Sequence, residues 1–144
     1  MRIFSSILFL LITISVFSQN DYSKFVNPFI GTGGHGHTYP GAQYPYGMMQ
    51  LSPDTRKDGW DGCSGYHYSD SVILGFSHTH LSGTGVSDYS DLLIMPYSDN
   101  INVAYKSLEK VKTSSKFSHK YEDASPGYYE VLLDDNDINV ALTT

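Results

Sequence analysis

Tyr128-Tyr129-Glu130-Val131-Leu132-Leu133, Asp134-Asp135-Asn136-Asp137, Ile138-Asn139-Val140-Ala141-Leu142: two runs rich in aliphatic and aromatic residues flank four polar ones. That arrangement predicts a hairpin with a polar turn. Upstream, residues 114–119 read as extended within a basic, hydroxyl-rich stretch from Lys106 to Lys120 that suits a solvated face. Val72-Ile73-Leu74-Gly75-Phe76-Ser77 is an apolar strand, and Asp91-Leu92-Leu93-Ile94-Met95-Pro96 is another, stopped by its proline. A short strand is expected over 48–51 and loop from Pro53 to Gly65. Residues 25–30 read as a short extended run that Pro28 confines to an edge, because proline cannot donate to a ladder.

Nowhere does a 3.6-residue apolar period persist, and the short strands are separated by turn residues. The expected class is all-β, a partial β-sandwich. A lone terminal hairpin is marginal in water, so further strands are expected after Thr144. The 144 residues suit one modest domain. Residues 1–18 carry a short positive start, an apolar run and a small residue before Gln19, which reads as a secretory signal peptide. The run is shorter than the roughly twenty residues a bilayer span needs. The domain is therefore expected over 19–144, secreted or periplasmic, with no membrane span after removal of the signal.

The formal charge of the chain is −6, and loss of Arg2 with the leader makes it one more negative. Nucleic acid is an improbable partner for such a chain, since affinity there comes from Lys and Arg neutralising phosphates. Glutamate occurs only at 109, 122 and 130 while tyrosine occurs twelve times, a composition of strands and loops rather than helices. Cys63 is the only cysteine, so no disulfide within the chain is possible.

Gly31-Thr32-Gly33-Gly34-His35-Gly36-His37-Thr38-Tyr39-Pro40-Gly41 holds five glycines and two histidines. It reads either as a loop that approaches a ligand or as a turn that lets strands cross. Its G-x-G-x-x-G match lacks a following helix, as Pro40 and Pro45 show, and is rejected as a dinucleotide site. His35 with His37, and His78 with His80, are spaced to point two imidazoles one way along an extended chain. They serve either a metal or the orientation of loops. Asp54, Asp58, Asp61, Asp70, Asp88 and Asp91 are candidates for a carboxylate pair and equally for turn formation. The glycine-framed segment 59–68 concentrates Trp60, Tyr66, His67 and Tyr68 beside Asp61. Rings beside carboxylates suit a sugar, although a core role for Trp60 is the alternative.

In order along the chain, Val26-Asn27-Pro28-Phe29-Ile30-Gly31-Thr32, His35-Gly36-His37-Thr38-Tyr39-Pro40-Gly41-Ala42 and Gln50-Leu51-Ser52-Pro53-Asp54 resemble the opening of glycoside hydrolase family 92. So do Gly59-Trp60, Cys63-Ser64-Gly65-Tyr66-His67-Tyr68, Gly75-Phe76-Ser77-His78-Thr79-His80-Leu81-Ser82-Gly83-Thr84-Gly85 and Pro126-Gly127-Tyr128-Tyr129. Tyr46 departs from the phenylalanine expected in Pro-Phe-Gly. The resemblance implies the N-terminal β-sandwich of a calcium-dependent, inverting exo-α-mannosidase that removes α-linked, α-1,2-linked above all, mannose from N-glycans.

It also implies a C-terminal (α/α)6 barrel, absent from this chain, that carries the general acid, the bases and most calcium ligands. No catalytic residue and no metal ligand is therefore assigned here, and the chain is expected to be inactive alone. By the same resemblance Trp60 faces the leaving sugar. Asp61, Gly33, Gly34, His35 and Cys63 are assigned to the pocket lining from their loop chemistry. A free-standing carbohydrate-binding β-sandwich and a small histidine metalloenzyme are the competing readings.

Overall fold

A computed structural model describes residues 21–44, 46–56, 58–98 and 113–144. The expected signal peptide and most of the basic stretch lie outside these residues. Among them there is no α-helix, and all strand pairing is antiparallel. The chain is all-β, as its pattern of short strands predicts.

Strands β1 (Ser52–Asp54), β2 (Val72–Ile73), β3 (Gly75–Ser77), β4 (Ser115–Ser125), β5 (Tyr128–Leu133) and β6 (Ile138–Thr143) form two sheets. One has the order β2-β4-β5-β6, and the other pairs β1 with β3. The C-terminal hairpin closes where it was expected: Leu133 pairs with Ile138 across 134–137. Asp137 takes φ 52° in that turn, a conformation aspartate tolerates better than most residues.

Side chains alternate along β5, so Tyr129, Val131 and Leu133 are fully buried while their neighbours face outward. They join Tyr66, Ile73, Phe76 and Phe117 in one core, which Ile138, Val140 and Leu142 of β6 extend. In β4 the register slips between Phe117 and Glu122, an irregularity that turns the Glu122 carboxylate inward. There it accepts hydrogen bonds from the hydroxyls of Tyr129 (2.7 Å) and Tyr66 (3.0 Å) and from His119 Nδ1 (2.5 Å). Burial, reinforced by that carboxylate, raises the pKa of both phenols far above the ordinary value.

Four expectations change. The run 72–77 is not one strand: it breaks at Leu74, whose N–H turns to the Asp54 carbonyl, and its halves enter different sheets. The strand expected at 48–51 begins four residues later, at Ser52, with Pro53 and Asp54 inside it. Pro53 is tolerated because the strand has a single partner, so one edge makes no ladder bonds. Residues 91–96 make only an isolated bridge, Phe76 to Ile94, since left-handed backbone at Tyr89, Ser90 and Leu92 prevents an extended approach. The stretch 25–30 is a 3-10 turn at Ser23–Phe25 followed by tight turns, fixed in part by Asn27 Oδ1 accepting from the Phe29 N–H.

Candidate functional site

Three loops meet beside the sheets: residues 31–41, 59–68 and 78–85. The first folds back on itself through Gly36 N–H to the Gly33 carbonyl and Thr38 N–H to the Gly31 carbonyl. The crossing is so close that a Cβ at Gly36 would overlap the Gly31 carbonyl, which explains a glycine there. The second loop is tied to the first by Ser64 Oγ–H to the Thr38 carbonyl, Tyr68 N–H to the Thr32 carbonyl and His67 Nε2–H to the Gly34 carbonyl. Tyr66 then anchors the second loop in the core. The third joins through Gly83 N–H to the His37 carbonyl, 2.8 Å.

Trp60 begins a 3-10 turn, Trp60–Gly62, at this junction and is 58% exposed. The core reading of Trp60 is thereby set aside. His37 meets its indole edge-on with ring centroids 4.3 Å apart, and His35 lies tilted against it at 5.1 Å. The indole Nε1 passes over Gly85, where a Cβ would stand 2.7 Å away. Asp61 Oδ1 accepts from His35 Nδ1 at 2.6 Å and lies 3.5 Å from His37 Nε2. The hydrogen bond from His35 is the main reason the Asp61 carboxyl stays below the usual carboxylate range.

Trp60, Asp61 and His35 therefore converge. An exposed ring beside an acceptor carboxylate and an imidazole offers an apolar platform with hydrogen-bonding groups at its rim, the combination a carbohydrate needs. Gly33 and Gly34 shape the loop rather than line this wall. Gly33 faces Tyr68 in a neighbouring hollow of about 370 Å³, and the Gly34 carbonyl is taken by His67. Cys63 is a buried free thiol that lines a different, polar cavity of about 290 Å³ with Arg56, Asp88 and Ser90. Nothing places these three against the indole.

Sequence reasoning left His37 and Gly85 out of the lining. For His37 the two-residue spacing from His35 was the usable signal, whereas Gly85 is distinguished by nothing short of the three-dimensional contact. The second histidine pair does not join the first. His80 is buried, its Nδ1 donating to the Gln50 carbonyl at 2.7 Å and its Nε2 facing Asp54 Oδ1 at 3.2 Å and Ser77 Oγ at 3.1 Å. His78 Nδ1 donates to the Leu92 carbonyl. Among the described residues no three His, Cys, Asp or Glu side chains are grouped to hold a metal ion.

An all-β domain presenting an aromatic platform with a polar rim is the class of structure defined to this point. Residues 25–144 match the model of the glycosyl hydrolase family 92 N-terminal domain, and the chain belongs to that family. A family GH92 α-mannosidase of Bacteroides thetaiotaomicron, solved with mannoimidazole, superposes with a TM-score of 0.76 at 41% identity. The match covers 87% of this chain and 17% of that one. An inverting family GH92 mannosidase of the same organism gives a TM-score of 0.67 at 30% identity, over 88% of this chain and 17% of that one. A secreted glycosidase of Arthroderma benhamiae is 32% identical over 122 residues, 80% of this chain and 15% of its own length. The chain thus spans about a sixth of the length of these relatives.

Proposed function

We propose that this chain is the sugar-contacting N-terminal part of a secreted, inverting exo-α-mannosidase that releases α-1,2-linked mannose from N-glycans. The observation that carries the reading is the exposed indole of Trp60 with the Asp61 and His35 polar atoms at its edge. The C–H face of the leaving sugar packs on the ring, and its hydroxyls bond to the rim. Fixing that sugar aligns the glycosidic bond for attack, so the platform affects turnover as well as binding.

In an inverting hydrolase one carboxylic acid protonates the leaving oxygen and a carboxylate roughly 6.5–9.5 Å away activates water on the opposite face. Both belong, on this reading, to a C-terminal barrel domain supplied in cis, and the 144 residues alone do not hydrolyse. Among the described carboxylates, Asp54 Oδ1 is paired with His80 and Ser90, and Asp70 with Arg56.

Calcium takes six to eight oxygen ligands, and bound in the sugar pocket it would supply a hard positive charge to substrate hydroxyls. No three His, Cys, Asp or Glu side chains are grouped among the described residues, and on this reading most of its ligands come from the C-terminal barrel. The leader read at 1–18 supplies the secretion part of the proposal. No helix of the described residues is long and apolar enough to cross a membrane.

Trp60→Ala in the full-length enzyme tests the platform. Cleavage of α-1,2-mannobiose is expected to fall at least about tenfold, as loss of an aromatic sugar contact and of alignment predicts. The melting temperature should move by only a few degrees, as expected for a surface ring. Losses of activity and stability that track each other would make Trp60 a structural residue and end this reading.

A further inference from the structure

We propose that His37 is a positioning residue that holds the Trp60 indole in its working orientation. The proposal rests on the reading of Trp60 as a sugar platform, yet its geometry stands apart from any ligand. His37 is 7% exposed although residues 33–36 before it are open to solvent, and it is held at φ 54°, in the left-handed region unusual for a residue with a Cβ. Such a conformation persists only where surrounding bonds impose it. Here Gly83 N–H clamps its carbonyl, and the next N–H, that of Thr38, is clamped by the Gly31 carbonyl.

The clamped backbone delivers the imidazole to the indole in a T-shaped contact, the ring planes 86° apart and the centroids 4.3 Å apart. An edge-to-face pair directs the positive ring edge at the negative face, so it resists tilting as well as sliding. Nε2 is buried and has no hydrogen-bond partner within normal geometry; the nearest acceptor is Asp61 Oδ1 at 3.5 Å. A buried nitrogen left so loosely paired is costly, and such a group in a native fold calls for an explanation. It lies beside Asp61, the residue next to Trp60, so one side chain touches the ring and faces the carboxylate. His35 is different in kind, since its side chain is 73% exposed and is tied to Asp61 at the solvent side of the indole. Gly85 completes the seat from below by leaving room for the indole nitrogen.

Trp60 is the only tryptophan of these 144 residues, and in the full-length enzyme its emission is isolated as the difference from a Trp60→Ala control. Time-resolved anisotropy of that difference emission is to be compared for His37→Asn, which suits a left-handed backbone but has no ring, and His37→Phe, which keeps the ring. The parent and His37→Phe are expected to show the indole tumbling with the domain. His37→Asn should add a fast local component carrying about half of the decay, and lose a similar share of the tryptophan near-UV dichroism.

A rigid indole in His37→Asn overturns the proposal, as does equal mobility in both variants. Collapse of the whole fold in both would mark His37 as a core residue and overturn it as well. In the full-length enzyme, His37→Asn is expected to lower kcat on α-1,2-mannobiose about tenfold or more. An aryl α-mannoside, which has no leaving sugar to place, should lose less than about threefold. If Trp60→Ala spares the disaccharide while the anisotropy result holds, the platform reading fails and the positioning of Trp60 by His37 survives.

Discussion

Glu122 shows how one residue can bind a loop to a sheet. Its carboxylate is almost fully buried and takes hydrogen bonds from Tyr66, Tyr129 and His119. Two of those donors lie on β4 and β5, and the third, Tyr66, stands six residues after Trp60. Removing the acceptor leaves three donors with no partner, two of them in the core. Glu122→Ala is therefore expected to cost about 3 kcal/mol, at a rate of about 1 kcal/mol or more for each stranded group. Glu122→Gln, which keeps one acceptor oxygen, should cost about 1–2 kcal/mol. Urea unfolding at neutral pH gives both values, and a Gln variant less stable than the Ala variant would contradict this account.

At the scale of elements, the C-terminal hairpin depends on its turn. Asp137 sits at φ 52° just before β6 begins, and a β-branched side chain there is a steric outlier. Asp137→Val is expected to destabilise by about 1–2 kcal/mol while Asp137→Gly stays within about 0.5 kcal/mol of the parent. Equal thermal shifts for the two would remove the turn conformation as the cause. This hairpin was legible in the sequence because alternation along 128–133 and a polar turn act locally, without help from the rest of the chain.

The elements that were misplaced depend on distant partners. Leu74 leaves one sheet for the other because Asp54, twenty residues earlier, offers its carbonyl. Residues 91–96 have strand composition, yet the left-handed backbone at 89–92 was set by contacts no local pattern records. The site divides in the same way. Trp60, Asp61 and His35, which the fold brings together, carry chemistry that is visible residue by residue. Cys63, Gly33 and Gly34 were assigned from the chemistry of their loops; in the fold Cys63 and Gly33 border neighbouring hollows and the Gly34 carbonyl is engaged by His67. His37 was missed because its burial and its edge contact with the indole come from three loops meeting.

For the whole molecule, the charged and phenolic groups set a pH window. Burial pushes the Asp70 carboxyl up, but the Arg56 guanidinium and the Thr55 hydroxyl overcome it and hold the group below its ordinary value. A carboxyl whose pKa is lower folded than unfolded contributes stability above the unfolded value, near pH 4 for aspartate. That contribution is lost as pH falls through the folded value. Tyr66 and Tyr129 act at the other end. Their phenols are shifted upward, so their contribution is complete below about pH 10 and is lost above it, where the unfolded chain ionises first.

The urea midpoint should accordingly fall below about pH 4 and again above about pH 10. Arg56→Met leaves the burial of Asp70 opposed by the Thr55 hydroxyl and the His67 ring alone, so stability at neutral pH drops and the acid limb flattens. Tyr66→Phe removes one ionisable group from the core and makes the alkaline limb shallower while the acid limb keeps its slope. Midpoints measured across this range in the three proteins check the assignment. An acid limb unchanged in Arg56→Met would mean that the acid sensitivity originates elsewhere than in the Arg56–Asp70 pair.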